Sequence, residues 1–215
     1  MSREGIQWSA SEGRLQRLIA ERLQPGADKA RIDERIWDLF GETWAIMFTD
    51  LAGFSRRVER FGIVHFLQTI FESERLLLPI VEAHDGVVLK REGDSMLIIF
   101  RRASAALSCA IAMQRSLVVY NRDKPAEEDI LLCLGLGCGR VLKLGDADVF
   151  GAEVNAASKL GEDTAKAHEI LVTESFRDAV APDLAGGDAE LEFLRLDYVP
   201  PGATAAFKLD YVLEP

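Results

Sequence analysis

In the segment FTDLAGFS, residues 48–55, one carboxylate, Asp50, closes an apolar run and is followed at once by Ala52-Gly53-Phe54. A strand ending here and a helix beginning just after it leave the first helical amide hydrogens without partners. Those hydrogens and the helix dipole favour a phosphate, and glycine lets the phosphate approach the backbone closely. A carboxylate repels a phosphate unless a cation lies between them, and magnesium takes one or two carboxylates plus phosphate oxygens. Asp50 is equally suited to a plain helix cap. A second carboxylate, Asp94, falls in GVVLKREGDSMLIIF, residues 86–100, at the turn Glu92-Gly93-Asp94. If this hairpin neighbours the strand that ends at Asp50, two carboxylates and a phosphate cradle meet, the donor set of two-metal phosphoryl or nucleotidyl transfer. Taken alone, Glu92-Gly93-Asp94 also reads as an ordinary turn.

The elements that must position these residues are legible in the patterning. Ser9 and Glu12 form a capping-box pattern ahead of Leu15, Leu18, Ile19 and Leu23 at helical spacing, and Pro25-Gly26 breaks that helix. A second helix follows, with Asp28 as its cap, Ile32, Ile36, Leu39 and Phe40 on one side, and a stop near Gly41. The chain therefore divides into a helical extension, residues 1–41, and a catalytic-sized domain, residues 42–215. The extension is expected to pack on its own domain, to pair with a partner chain, or both.

From Trp44 the run WAIMFT is continuously apolar, as a strand buried on both faces would be. Residues 54–78 read as a helix that stops before Pro79, and Ala103 to Tyr120 as another, with Ala106, Ile111, Ala112 and Leu117 available for burial. Next come one or two strands in EDILLCLGLGCGRVLKLG, a helix in VNAASKLGEDTAKA and a strand in HEILVT. ELEFLRL and AAFKLDYVL close the chain as a strand pair. This alternation predicts an α/β or α+β sandwich around a mixed sheet.

Composition narrows the function. A chain of 215 residues, 48% hydrophobic and 28% charged, can bury a real core. Its net charge of −10 excludes broad affinity for nucleic acid or anionic lipid, which need a basic face. Cys109, Cys133 and Cys138 lack CxxC spacing, and His65, His84 and His168 are scattered singly, so neither disulfides nor a zinc cluster is expected. No secretory leader pattern or apolar run of about 18 residues is present, and a cytoplasmic location without membrane attachment is expected. GLGCGR, residues 135–140, matches a dinucleotide fingerprint only loosely, since Arg140 replaces its last glycine. Its glycines suit close packing within a central strand.

FTDLAGFS, GVVLKREGDSMLIIF and DVFGAEVNAASKL followed by HEILVT resemble, in this order and spacing, successive motifs of class III adenylate and guanylate cyclase catalytic domains. The likeness runs from Trp44 to Thr173 and more weakly to Leu213. It implies an α+β fold with a ferredoxin-like βαββαβ core and a mixed, mostly antiparallel sheet. It also implies that Asp50, Asp94 and the backbone carbonyl of Leu51 hold two Mg2+ or Mn2+ ions per site, with the Ala52, Gly53 and Phe54 amides at a triphosphate. Lys90 matches the purine-selecting lysine and Asp148 the second purine-selecting position, a pair that favours ATP over GTP. Asn155 matches the residue that orients the ribose, and Lys159 stands where the family usually has an arginine serving the transition state.

The resemblance further implies a homodimer with shared sites, one subunit supplying Asp50 and Asp94 and the other Lys90, Asp148, Asn155 and Lys159. The expected activity is that of an adenylate cyclase converting ATP to 3′,5′-cyclic AMP and pyrophosphate. A cyclase-like regulatory module that binds nucleotide with little turnover is the alternative. Three departures stand out. Lys159 lacks the planar fork of arginine. Leu196 to Phe207 contains no lysine where the family usually has one for the triphosphate. The stretch Gly139 to Asp148 is short, which leaves the helices of residues 9–40 to supply part of the dimer contact.

Overall fold

A computed structural model describes residues 10–184 and 191–214, and the side chains of residues 54–57 lie outside that description. The chain runs α1 (Ala10–Arg22), α2 (Lys29–Phe40), β1 (Gly41–Leu51), α3 (Phe54–Phe61), α4 (Ile63–Ala83), β2 (Val87–Glu92), β3 (Ser95–Phe100) and α5 (Ala103–Asn121). It continues with β4 (Leu132–Leu144), β5 (Asp148–Phe150), α6 (Ala152–Ser158), a π-helical turn (Lys159–Thr164), β6 (Ile170–Thr173), α7 (Glu174–Leu184), β7 (Glu192–Arg195) and β8 (Ala206–Asp210).

The strands form one sheet in the order β2-β3-β1-β4-β6-β8-β7, with β5 paired to β4. Every pairing is antiparallel except β4 with β6. The first four strands in the order β2-β3-β1-β4, with helices between β1 and β2 and between β3 and β4, make the ferredoxin-like βαββαβ core that the sequence implied.

The continuous apolar run of β1 follows from burial on both faces. Ala45, Met47 and Leu51 face a large core with residues of α4, α5 and α7, including Phe66, Leu77, Met113 and Phe176. Trp44 and Ile46 point the other way, with Leu97, Ile99, Val141 and Ala157. Strand alternation places Phe48 and Asp50 on this second side. The 19-residue α5 is long and apolar enough to cross a membrane, but Ala106, Leu107, Ala110, Met113 and Leu117 of it are packed in the first core. Of the α5 residues expected inside, Ala106 and Leu117 are buried and Ile111 and Ala112 partly so.

Two sequence expectations change. The single helix of residues 54–78 is two, broken at Gly62, whose φ of 84° suits a residue without Cβ. The second of them also runs through Pro79 to Ala83. Pro79 lies on the exposed side, where water can satisfy the carbonyl that loses its partner, while Leu77 and Val81 on either side are buried at 0% and 2% exposure. Helix α7 and strand β5 are additional to the elements read from the sequence.

The glycines of β4 do what close packing demands. A Cβ at Gly135 would lie 2.1 Å from the Ala157 carbonyl oxygen, and one at Gly137 2.7 Å from that of Glu153. Helix α6 thus sits directly on the strand backbone, and GLGCGR is a packing strip.

At the N-terminus Asp28 caps α2, its carboxylate accepting the Arg31 amide at 3.1 Å, while the cap expected at Ser9 lies outside the described residues. Leu18, Ile32, Ile36 and Phe40 pack with Leu142 and Leu144 of β4. The Arg140 guanidinium stacks 4.8 Å from the Trp37 ring and donates to its carbonyl. Leu23 and Leu39 remain exposed, at 77% and 54%. The helical extension thus packs on the strand that leads into the short β4–β5 hairpin.

Candidate active site

The second face of the sheet carries the chemistry. In cross-strand register, Lys90 of β2 pairs Leu97 of β3, Leu97 pairs Phe48 of β1, and Phe48 pairs Gly135 of β4. Asp50 lies two residues beyond Phe48, opposite Cys133 on β4 and beside Ser95 on β3, whose hydroxyl donates to Asp50 Oδ1 at 3.3 Å. Because β3 neighbours β1, the two-residue turn Gly93-Asp94 brings Asp94 close enough to act on Asp50 electrostatically.

Burial, then the charge of Asp94, pushes the Asp50 carboxyl up to about 6, and the Ser95 hydroxyl offsets only part of this. Asp94 is itself raised, chiefly by burial; its own backbone hydrogen bond offsets part of this, and the charge of Glu162 adds a smaller push upward. Two half-buried carboxylates of raised proton affinity are well matched to a divalent cation, which would lower both. Among the described residues no group of three or more His, Cys, Asp or Glu side chains could hold a metal ion by itself. A cation at Asp50 and Asp94 would therefore complete its shell with phosphate or water oxygens, the habit of Mg2+.

Two clefts open on this face. The first, about 330 Å3, is lined by Lys90, Asp148 and Asn155, with Phe48, Leu97, Val149 and Val154 as apolar walls. Lys90 Nζ donates to Asp148 Oδ2 at 2.6 Å, and the Val149 amide donates to Asp148 Oδ1 at 2.8 Å. Asp148 is the first residue of β5, held in register opposite Leu144 near the end of β4. Asn155 projects from α6 and donates through Nδ2 to the Pro201 carbonyl at 2.8 Å. Helix α6 is held by Glu153, whose buried carboxylate accepts the Thr173 hydroxyl at 2.6 Å and the Cys138 amide at 3.2 Å.

The second cleft, about 720 Å3, holds Asp50, Ala52 and Gly53 together with Arg60, Glu127, Cys133 and Lys166. Gly53 has φ 85° and opens α3 without a side-chain cap. The Ala52 amide donates to the Leu131 carbonyl at 2.8 Å, so it is engaged within the fold, whereas Phe54 stands at the start of α3. Leu51 is buried and pairs with Leu132.

Lys159 lines neither cleft. Its ammonium is exposed and donates to Asp163 Oδ2 at 2.6 Å. The structure thus groups Lys90, Asp148 and Asn155 in one cleft and Asp50, Ala52 and Gly53 in the other. Glu162 lines both, and it was missed in the sequence. The local signal was Gly161 within a helical pattern. A Cβ there would lie 2.9 Å from both the Gly135 nitrogen and the Phe48 carbonyl oxygen, and the π-helical turn seats this glycine on the strands.

The fold is a ferredoxin-like sandwich with an acidic pair, Asp50 and Asp94, at the strand ends and a Lys90–Asp148 cleft on the same face. Residues 41–193 match the family model described as the adenylate and guanylate cyclase catalytic domain, and the chain belongs to that family. It is 30% identical over 189 residues to an adenylate cyclase of Streptomyces coelicolor (strain ATCC BAA-471 / A3(2) / M145), covering 83% of this chain and 43% of that protein. It is 31% identical over 130 residues to the serine/threonine-protein kinase pkn2 of Myxococcus xanthus, covering 60% of this chain and 15% of that one.

Among solved structures, an adenylate/guanylate cyclase/hydrolase from Silicibacter pomeroyi superposes with a TM-score of 0.63 at 25% identity, over 80% of this chain and 97% of that chain. The chain spans between 15% and 43% of the length of the curated relatives it matches.

Proposed function

We propose that this domain is an adenylate cyclase that converts ATP to 3′,5′-cyclic AMP and pyrophosphate at sites shared by two copies of the chain. The observation that carries the reading is the Lys90–Asp148 pair lining a cleft of about 330 Å3. Adenine presents a ring acceptor, N1, beside an exocyclic donor, N6, which match an ammonium and a carboxylate respectively. Guanine presents the opposite order. The pair in the free chain is a preformed donor and acceptor that the base would separate and bind.

The ribose falls to Asn155, which lines the same cleft. Asp50 and Asp94 would hold two Mg2+ or Mn2+ ions, which when bound acidify the ribose 3′-hydroxyl and neutralise charge on the phosphates. This chain's residues fix the geometry: β1 and the β2–β3 turn set the two carboxylates, and α6 sets the ribose contact. Cyclisation is then an in-line attack of the 3′-oxygen on the α-phosphorus, with pyrophosphate leaving. The division of the two clefts at Glu162 supports a shared site, each copy giving its base cleft to the other's carboxylates. Packing of α1 and α2 on β4 supports a role for the extension in supporting the short arm.

A second reading, nucleotide binding with little turnover, is favoured by one observation: Lys159 is paired with Asp163 and stands outside both clefts. The test of the first is nucleotide choice. Lys90→Glu removes the donor for N1 and should lower the ATP-to-GTP preference by at least about tenfold, as loss of a built hydrogen bond does. An unchanged preference would show that Lys90 does not read the base.

A further inference from the structure

We propose that Arg60 and Lys166 are the protein's own cationic grip on the terminal phosphates of the nucleotide whose α-phosphate stands at Asp50. This rests on the cyclase reading and adds to it two binding residues from segments the sequence read only as helices, of which the second ends at Thr164 and leaves Lys166 in a loop. Arg60 comes from the last turn of α3, and Lys166 from the loop between the π-helical turn and β6. The fold brings both to the cleft that holds Asp50, Ala52 and Gly53.

Charge balance favours such a grip. A nucleoside triphosphate carries about four negative charges, and Asp50 and Asp94 add two. Two divalent cations return four, so two negative charges stay uncompensated. Glu127 and Glu162 also line this cleft and worsen the repulsion, as does the net charge of −10. Arg60 and Lys166 are the cationic side chains among its described lining residues.

Beyond its cleft, the Lys166 charge adds a pull on the Glu169 carboxyl that is smaller than that of Lys208. Among the described ion pairs neither the Arg60 nor the Lys166 side chain takes part. The Arg60 guanidinium lies 4.9 Å from the Phe61 ring, which orients it without neutralising it. Lys166 binds Glu169 through its backbone amide, while the Glu169 carboxylate takes its ammonium partner from Lys208 at 2.9 Å. An arginine fork suits two oxygens of one phosphate, and a lysine on a flexible stem suits a point contact to the next.

The test uses the full chain with Mn2+ and inorganic tripolyphosphate as the probe, by titration calorimetry, for the wild type, Arg60→Ala, Lys166→Ala and the double variant. Both positions are exposed, so the variants should keep the wild-type melting temperature, which is checked first. Each single change should weaken tripolyphosphate binding about tenfold, the double change more, with adenosine binding unaltered. Wild-type affinity in the double variant, or no tripolyphosphate binding by the wild type, overturns the proposal. Cyclic AMP formation is followed alongside. Cyclic AMP from a wild type whose variants bind tripolyphosphate normally defeats the grip alone. Weakened binding in the variants without any cyclic AMP upholds the grip and defeats the cyclase reading.

Discussion

Replacing Asp50 with asparagine should stabilise the metal-free protein although it removes a functional group. The Asp50 carboxyl is raised from its ordinary 3.8 to about 6, by burial first and by Asp94 second. At 1.36 kcal/mol per pKa unit this corresponds to about 3 kcal/mol at most. Asp50 is only half-buried, and solvent screening reduces the expected figure to about 1 to 2 kcal/mol. The sign follows from linkage: the folded state binds this proton more tightly than the unfolded chain. Stability from the neutral carboxyl is fully present below about pH 4 and is lost as pH rises through about 6. Asparagine keeps an acceptor for the Ser95 hydroxyl and never ionises.

Urea unfolding in the presence of a chelator should therefore give the variant about 1 to 2 kcal/mol more stability at about pH 7.5, and a clearly smaller gain at about pH 4.5. Adding Mn2+ should reverse the order, since a ligand of the native state stabilises only the protein that binds it. A variant that is less stable at every pH, or whose gain does not change with pH, would refute the electrostatic account of the paired carboxylates.

Gly135→Ala places a methyl 2.1 Å from the Ala157 carbonyl oxygen and should cost about 1 to 3 kcal/mol in thermal or urea unfolding; a neutral result would mean that α6 does not rest on β4. Ile36→Ala, at a site 5% exposed, should cost about 2 to 4 kcal/mol. Leu39→Ala, at a site 54% exposed, should change stability by less than about 0.5 kcal/mol yet lower the sedimenting mass if the extension touches a partner copy. Lys159→Arg restores a planar fork and should raise turnover several-fold, up to about tenfold. No change in rate would deny Lys159 a role at the phosphates.

What could be read in advance was what local pattern dictates. The unbroken apolar run at Trp44 to Thr49 announced a strand covered on both faces, and the turn Gly93-Asp94 announced a hairpin. Motif order then supplied the topology. Pro79 misled because rules for helix stops ignore which side of a helix faces water. Glu162 was missed because its placement depends on a π-helical turn, itself a consequence of Gly161 seating on Gly135 and Phe48 across more than twenty residues of chain. Arg60 and Lys166 were silent for the same reason, since nothing in their neighbours reveals that α3 and the loop before β6 share a cleft with Asp50. Lys90 and Asp148, 58 positions apart, were singled out one by one through the resemblance, and their ion pair is seen only in the folded chain.

The most direct measurement is to incubate the purified protein with ATP and excess Mn2+ and separate the products chromatographically, with Asp50→Ala in parallel. The account predicts cyclic AMP and pyrophosphate from the wild type and neither from the variant. Bound but unconverted ATP in the wild type, or equal product from the variant, would contradict it.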